Sequence, residues 1–328
     1  MKQRWINLLV AVVLSASAFE PASAETLRVL TYNVWHGFWR TADKELLILP
    51  SESRRDRERR QHLQTARLER LEPDVLMAQE MHPLPWRARE LARDLGHQSI
   101  HQLVSCGLRF LNIGVPWAIR SGLAITASRR LDLVRISAPK LSGRLGYCND
   151  WLGLQLEEAR RALLGRIELS SRRSVLVVTT HLHSSTEGGA AREQRRLLET
   201  TALLEAIAEA RRQSPAIRGV ILGGDFNAHE SSRSIELVRA SGFTDVASAL
   251  DSEFATYDPW ANEIAARMTE AGGGDPERSA PRRIDYLFVS SELLPFIRSV
   301  EPYGITPRES PGELFDSDHY GVLLELDL

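Results

Sequence analysis

The sequence predicts an α/β (α+β) fold built in layers, and three observations carry that expectation. Short apolar, β-branched runs recur along the chain, and each stops abruptly at polar residues. Two long stretches with amphipathic, helical patterning lie between them. The intervals between strands and helices are irregular, which suits packed sheets flanked by helices better than a simple βαβ series. The 328 residues are 43% hydrophobic and 26% charged, an ordinary globular composition with enough apolar mass for a sizeable core. A formal net charge of −2 gives no global basic footprint for nucleic acid, although a local groove could still be basic.

Taken in order, the chain opens on a basic "MKQRW", an apolar "INLLVAVVLSASAF" and a small-residue "ASA" at Ala22 to Ala24. Those three regions read as a secretory signal over residues 1–24, with one catalytic domain from residue 25 to 328. The apolar run is short against the ~20 residues of a spanning helix, and no other segment could span a membrane. The expectation is a secreted or periplasmic monomer with no transmembrane segment after cleavage. In an oxidising compartment the two cysteines, Cys106 and Cys148, most simply form one disulfide, the alternative being two free thiols. Neither their spacing nor their number suggests a zinc site.

The next strands are "TLRVLTYN", ending at Asn33, and "PDVLMAQE", ending at Glu80. Between them "SESRRDRERRQHLQTARLERLE", Ser51 to Glu72, predicts a helix whose arginine-rich face reads as solvated surface. Further strands are expected at "SGLAITASRR", "LDLVRIS" and "LLGRIEL", followed by "SVLVVTTHLH" with His181 and His183 at its end. A second helix is predicted over Gly188 to Gln213. The strand "GVILGGDFN" then closes on Asp225 and Asn227, and "RIDYLFVS" and "YGVLLELDL" complete the set. The glycine-rich "AGGGDPERSAP", Ala271 to Pro281, reads as a surface excursion beside the site.

Asn33, Glu80, His181, Asp225 and Asn227 are far apart in sequence, yet each closes an apolar strand. Strands sharing an edge would bring them to one mouth. Asp285 sits within an apolar strand, where a carboxylate without a partner is costly, and His319 follows Asp318 just before the last strand. Asp285 with His319 is the candidate acid/base pair. Glu80, Asp225 and Asp318, with the amide oxygens of Asn33 and Asn227, form the oxygen-rich set that suits Mg²⁺, or Mn²⁺, rather than zinc. No activated serine or cysteine stands beside a base, so water is the expected nucleophile, and a hard cation with two histidines suits hydrolysis of a phosphate ester.

Each residue has a plainer alternative. Asp225 and Asn227 could form a turn, and Asn33 could cap a helix. His183 could join His181 in a zinc pair, whereas His229 and Glu230 read as loop or helix-start residues. Trp35, Trp39 and "ELLILP", Glu45 to Pro50, could be core or an interfacial lipid contact.

"TYNVWHG", "LMAQE", "TTHLHSS", "LGGDFNAHE", "RIDYLFVS" and "SDHYG", in this order and approximate spacing, resemble the endonuclease/exonuclease/phosphatase superfamily across nearly the whole mature chain. That resemblance implies a four-layered α/β sandwich with two packed mixed β-sheets flanked by helices. It implies Glu80 as the main metal ligand, with Asn33 as an orienting neighbour at the metal and Asp318 binding metal or bracing the site. His181 and Asn227 would contact phosphate oxygens, Asp225 would handle water or the leaving oxygen at the metal, and Asp285 with His319 would transfer protons. The stretches "IRSGLAITASRR", "CNDWLGLQLEEARRALLGRIEL" and "THLHSS" look most like the neutral sphingomyelinase branch. The resulting expectation is an exported Mg²⁺-dependent phosphodiesterase acting on a phospholipid such as sphingomyelin or another small phosphodiester. A deoxyribonuclease-like enzyme acting on nucleic acid is the alternative, and a catalytically silent binding protein on the same scaffold is the third reading.

Overall fold

The computed structural model describes residues 25–38, 51–106, 108–110, 113–115, 120–143, 146–148, 152–155, 159–169, 173–184, 189–271, 279–304 and 315–328. The signal-like N-terminus, Trp39, the "ELLILP" stretch and most of the glycine-rich excursion lie outside the described residues.

Two mixed sheets pack face to face. The first runs, from edge to edge, through Ile297–Tyr303, Gly321–Asp327, Thr26–Asn33, Val75–Met81, Ser121–Ser128 and His97–Ser105. The second runs through Phe243–Asp245, Asp285–Ser290, Ile217–Asp225, Ser174–His181, Arg160–Glu168 and Val134–Ser137, with Lys140–Ser142 also paired to Arg160–Glu168. Parallel pairing joins Thr26–Asn33 to Val75–Met81 and Ser174–His181 to Ile217–Asp225, whereas their outer neighbours are antiparallel.

The alternation of side chains along each strand explains the four layers. Val29, Met77 and Ile125 point inward to meet Leu163, Val177, Ile221 and Leu287 of the second sheet. The residues next to them face the other way. Leu30 and Leu76 pack with Leu68 of the Arg54–Leu71 helix and Leu91 of the Trp86–Asp94 helix. Val178 and Leu222 pack with Leu203 and Ile207 of the Gly189–Gln213 helix. Central strands buried on both faces read as continuous apolar runs, which is why "SVLVVTTH" stays buried until His181. At Gly223 the sheets approach closely, since a Cβ there would lie 2.6 Å from the Met77 methyl and 3.1 Å from Thr31 Cβ.

The first helix starts one turn later than the sequence predicts. Ser53 caps it by accepting a hydrogen bond from Asp56 N at 3.1 Å, and it ends at Glu72 in the left-handed region, φ 51°. Most of its arginines are solvated, but Arg67 pairs with the buried Asp316 at 2.8 Å, and Arg60, itself buried, donates to Glu52 Oε2 and Val34 O, each at 3.0 Å, and lies over the Trp35 ring. Trp35 is therefore core, packed with Ile264 and Met268.

Several elements have no clear sequence signature. His97–Ser105 and Ile297–Tyr303 are edge strands, partly exposed and polar, so neither shows a long apolar run. Leu108–Phe110, Ile113–Val115, Gly146–Cys148 and Leu152–Gln155 form a third, small sheet. Cys106 and Cys148 are disulfide-bonded, with Cα atoms 6.0 Å apart, which ties that sheet to the end of His97–Ser105. Among the described residues no helix is long and apolar enough to cross a membrane.

Candidate active site

Strand register assembles one row of the site. His181 pairs with Asp225, and Asp225 pairs with Asp285, so three functional side chains stand on adjacent strands at one end of the second sheet. The first sheet contributes Asn33 and, one residue beyond its register partner Gln79, Glu80. The segment leading into Gly321–Asp327 supplies Asp318 and His319. Glu80, His181, Asp225, Asn227, Asp318 and His319 all face a cavity of about 1150 Å³. Asn33 and Asp285 stand behind them, both fully buried.

The hydrogen bonds give each residue a definite place. His319 Nδ1 donates to Asp285 Oδ2 at 2.8 Å, and its Nε2 is 3.8 Å from Asp225 Oδ2. Asn33 Nδ2 donates to Asp225 Oδ2 at 3.0 Å, while Asn33 Oδ1 accepts from Trp35 N. Asp225 Oδ1 accepts from Asn227 N at 2.9 Å, and Asn227 Nδ2 donates to Leu182 O. His181 bridges the two sheets, with Nε2 3.3 Å from Asp225 Oδ2 and Nδ1 3.9 Å from Glu80 Oε1. The eight residues named from the sequence thus lie together at one end of the two sheets.

Backbone conformation points the same way. Trp35, Glu80 and Asn227 all have left-handed φ values of 54°, 57° and 49°, which are costly for residues with a Cβ and concentrate at functional sites. At Gly224, with φ 152°, a Cβ would collide with Thr180 O, so glycine lets the strand turn Asp225 into the cavity.

Burial and charge set the protonation states. Burial alone would raise the Glu80 carboxyl, but His36, His181 and His319 together bring it down to about 2. Asp225 is pushed up to about 7 by burial and then by the Asp285 carboxylate, against the pull of His319. Burial disfavours a charged His319, yet Asp285, Asp318 and Asp225 overcome it and raise its pKa to about 10. His181 goes the other way, lowered well below the usual imidazole value by burial and by the Arg160 guanidinium. One histidine is thus held cationic and the other neutral.

The donor set suits a hard cation. Asp285 Oδ1 is a buried carboxylate oxygen with no hydrogen-bond partner, and burial and Glu80 raise the Asp318 carboxyl against the pull of His319. Asp225, Asp285 and His319 present ligand atoms within 4.8 Å of one another. Within that trio, however, the short His319–Asp285 hydrogen bond already uses the imidazole Nδ1. Glu80 and Asp318, whose carboxylates repel each other, line the same cavity as further oxygen donors.

The site also holds residues that sequence reading missed. His36, within the "TYNVWHG" motif, accepts from Phe38 N at Nδ1, so its Nε2–H is the end turned to Glu80 Oε2 at 3.4 Å. Its backbone N–H also donates to that oxygen, at 3.1 Å. Ser317 Oγ donates to Asn33 O and accepts from His319 N, and Thr256 Oγ1 accepts from Asp285 N. Arg196 donates to Asn227 O at 2.8 Å while paired with Glu193. None of these hydroxyls or arginines has a one-dimensional signature, because each acts across a long sequence separation. His183 is buried and absent from the cavity lining, with its backbone N–H on Glu199 Oε2, whereas His181 faces the cavity, so the two do not stand together as a zinc pair. His229 lines the rim with Nδ1 against Ser231 Oγ, and Glu230 pairs with Arg283, as loop residues should.

The fold is shared with solved structures. The chain superposes on truncated Caenorhabditis elegans TDP2 with a TM-score of 0.58, at 17% identity over 92% of this chain and 98% of that one. The human Nocturnin catalytic domain with bound sulfate gives 0.58 and 18% over 92% of both chains. A Bacteroides thetaiotaomicron mannosyl-6-phosphatase gives 0.57 and 18% over 92% and 100%. No curated protein sequence matches the chain significantly. The family model of the Endonuclease/Exonuclease/phosphatase family matches residues 30–319, which include the second sheet, most of the first and every residue of the site. The chain therefore belongs to the Endonuclease/Exonuclease/phosphatase family and is a metal-dependent hydrolase of phosphoric ester bonds.

Proposed function

We propose that the protein is an exported Mg²⁺-dependent phosphodiesterase that hydrolyses a phospholipid or other small phosphodiester by attack of water. The observation that carries the reading is the row His181, Asp225, Asp285 with His319 bonded to Asp285, facing Glu80 across one cavity. Glu80 and Asp318 would hold the cation, with Asn33 fixing Asp225 beside it. Bound there, Mg²⁺ supplies a Lewis acid that neutralises charge developing on the phosphoryl oxygens.

The remaining work falls to side chains. His181, neutral, and the Asn227 amide hold non-bridging phosphate oxygens and present the phosphorus to water. Asp225, whose raised pKa places it near neutrality, accepts the proton of the attacking water. His319, kept cationic by its three carboxylate neighbours, gives a proton to the leaving oxygen, and Asp285 fixes its ring and tautomer.

Purified mature protein should be assayed with Mg²⁺ against sphingomyelin, plasmid DNA, and inositol and sugar phosphates. Chelation should abolish activity, with Mg²⁺ or Mn²⁺ restoring it, and Glu80→Gln should weaken the metal response most. Restoration by Zn²⁺ but not Mg²⁺ would overturn the metal assignment, and silence on every substrate would favour a binding protein. Export has its own test, since intact mass should place the mature N-terminus at or near Glu25. A nuclease is the second reading, favoured by the arginines at the cavity mouth and by the similar fold of a Danio rerio TDP2 solved with single-strand DNA product. Cleavage of DNA alone would select it.

A further inference from the structure

Residues 315–320, which carry Asp318 and His319, belong to no helix or strand. The place of His319 is therefore set by groups that reach this segment from elsewhere. From one side Asn262 Nδ2 donates to Ser317 O at 2.8 Å, and Thr256 O accepts from Tyr320 N at 2.6 Å. On the other side stands the helix Arg54–Leu71. Arg60, Gln64 and Arg67, spaced i, i+4 and i+7, share one face of it, and that face turns inward although the helix reads from sequence as solvated.

Gln64 joins two parts of the site. It is only 3% exposed, and its Nε2 donates to Val34 O at 2.9 Å and to Asp316 O at 2.6 Å. Val34 follows Asn33 and precedes His36 by two residues, whereas Asp316 precedes Asp318 by two and His319 by three. The Asp316 carboxylate is fixed as well, with Arg67 Nη1 at 2.8 Å and Tyr32 OH at 3.0 Å both donating to Oδ1. Ser317 Oγ completes the link, donating to Asn33 O at 2.6 Å and accepting from His319 N at 3.2 Å. Arg60 Nη1 reaches the same two carbonyls as Gln64, at 3.0 and 3.5 Å, so neither is orphaned when Gln64 is replaced. What is lost is the short bond to Asp316. A proton donor must stand within hydrogen-bond reach of its acceptor, and a displacement of about 1 Å can cost on the order of 10²-fold.

We propose that Gln64, which does not line the cavity, is a positioning residue for proton transfer: by holding Val34 O and Asp316 O on one amide, it sets where His319 Nε2 stands relative to the leaving oxygen. The inference rests on the reading of His319 as proton donor and deepens it.

Gln64→Met keeps the length of the side chain and removes the donor. Two esters of one phosphate (phosphocholine, or thymidine 5′-phosphate if nucleic acid is cleaved) read its effect. The p-nitrophenyl ester releases a stable anion and needs no proton on departure, whereas the methyl ester does. In Gln64→Met, kcat on the methyl ester should fall roughly 10- to 100-fold while kcat on the p-nitrophenyl ester stays within about threefold, with KM little changed on both. In a His319→Ala background the same change should cost nothing further on the methyl ester. Leu91→Val, in the helix Trp86–Asp94 on the same sheet, controls for plain loss of stability and should lower Tm without separating the esters. Equal losses on both esters, a full loss that persists without His319, or the same separation in Leu91→Val would overturn the role of Gln64. If His319→Ala itself fails to separate the esters, or both are inert, the proton-donor reading falls and a measurement independent of turnover decides on Gln64. The downfield proton resonance of His319 Nδ1–H on Asp285, identified by its loss in His319→Ala, should shift or broaden in Gln64→Met but not in Leu91→Val. That result would keep Gln64 as the residue that places His319, and an unchanged resonance would remove it whatever the activity.

Discussion

Each end of the first sheet holds a cluster of acids and a buried histidine, and the two histidines are driven in opposite directions. At the far end Glu72, Asp74 and Asp94 line a depression with His97, whose ring meets the Thr126 hydroxyl at 3.0 Å. Burial lowers the pKa of His97 to about 4. At the site end His319 is just as enclosed, yet its pKa is raised to about 10. The difference lies in what the carboxylates are doing. Asp74 accepts from Arg28 N at 2.9 Å and pairs with Arg130 at 2.8 Å, so its charge is spent locally. Asp285 gives one oxygen to His319 and leaves the other without a hydrogen-bond partner, and Asp225 and Asp318 add their fields. A cluster of acids becomes chemistry only where its charge is left to act on an imidazole and a cavity.

The largest effect should come from making the site end resemble the far end. His319→Ala and Asp285→Asn should each lower kcat roughly 10²–10⁴-fold, the usual contribution of a positioned acid or base. Their double mutant should be little worse than the worse single mutant, because paired residues lose their joint contribution when either is removed. If Asp285 served only to satisfy a buried donor, Asp285→Asn would lower Tm and spare kcat. Fully multiplicative losses would show that the two residues do not act as a pair.

A middle-sized effect concerns the disulfide, which belongs to neither end. Closing a loop of 42 residues' separation should stabilise the fold by very roughly 4 kcal/mol in the chain-entropy model. Reduction, or Cys148→Ser, should lower Tm measurably, while native protein should show no alkylatable thiols. Two reactive thiols in the unreduced protein would contradict the bond.

How much of this was legible beforehand follows the same division. Each strand closing on Asn33, Glu80, His181 or Asp225 is buried on both faces, so its apolar run and sharp polar stop can be read in one dimension. Asp285 is conspicuous as a carboxylate in an apolar strand. His36 carried no signal beyond its place in a quoted motif, and its role depends on a turn that brings it to Glu80. Thr256, Ser317 and Arg196 are common polar residues whose partners lie 29, 284 and 31 positions away, so only the folded chain reveals them. The edge strands at His97–Ser105 and Ile297–Tyr303 escaped because half-exposed strands lack a hydrophobic signature.

The smallest effect tests the far end alone. Because the pKa of His97 is depressed in the folded state to about 4 from an ordinary 6.5, the unfolded chain binds more protons between those values. His97 therefore adds a stability term that is fully present above pH 6.5, declines as the pH falls, and is lost by about pH 4. Carboxylates titrate in the same window, and His82, lowered to about 3, contributes a similar slope, so the wild-type curve alone is ambiguous. His97→Gln removes one of these terms and leaves the others in both proteins. Its Tm should fall less steeply than that of the wild type from pH 6.5 to 4, by a few degrees, on the order of what 1 kcal/mol moves in a domain of this size. Parallel Tm curves would mean that His97 titrates normally, and the contrast between the two ends would then rest on His319 alone.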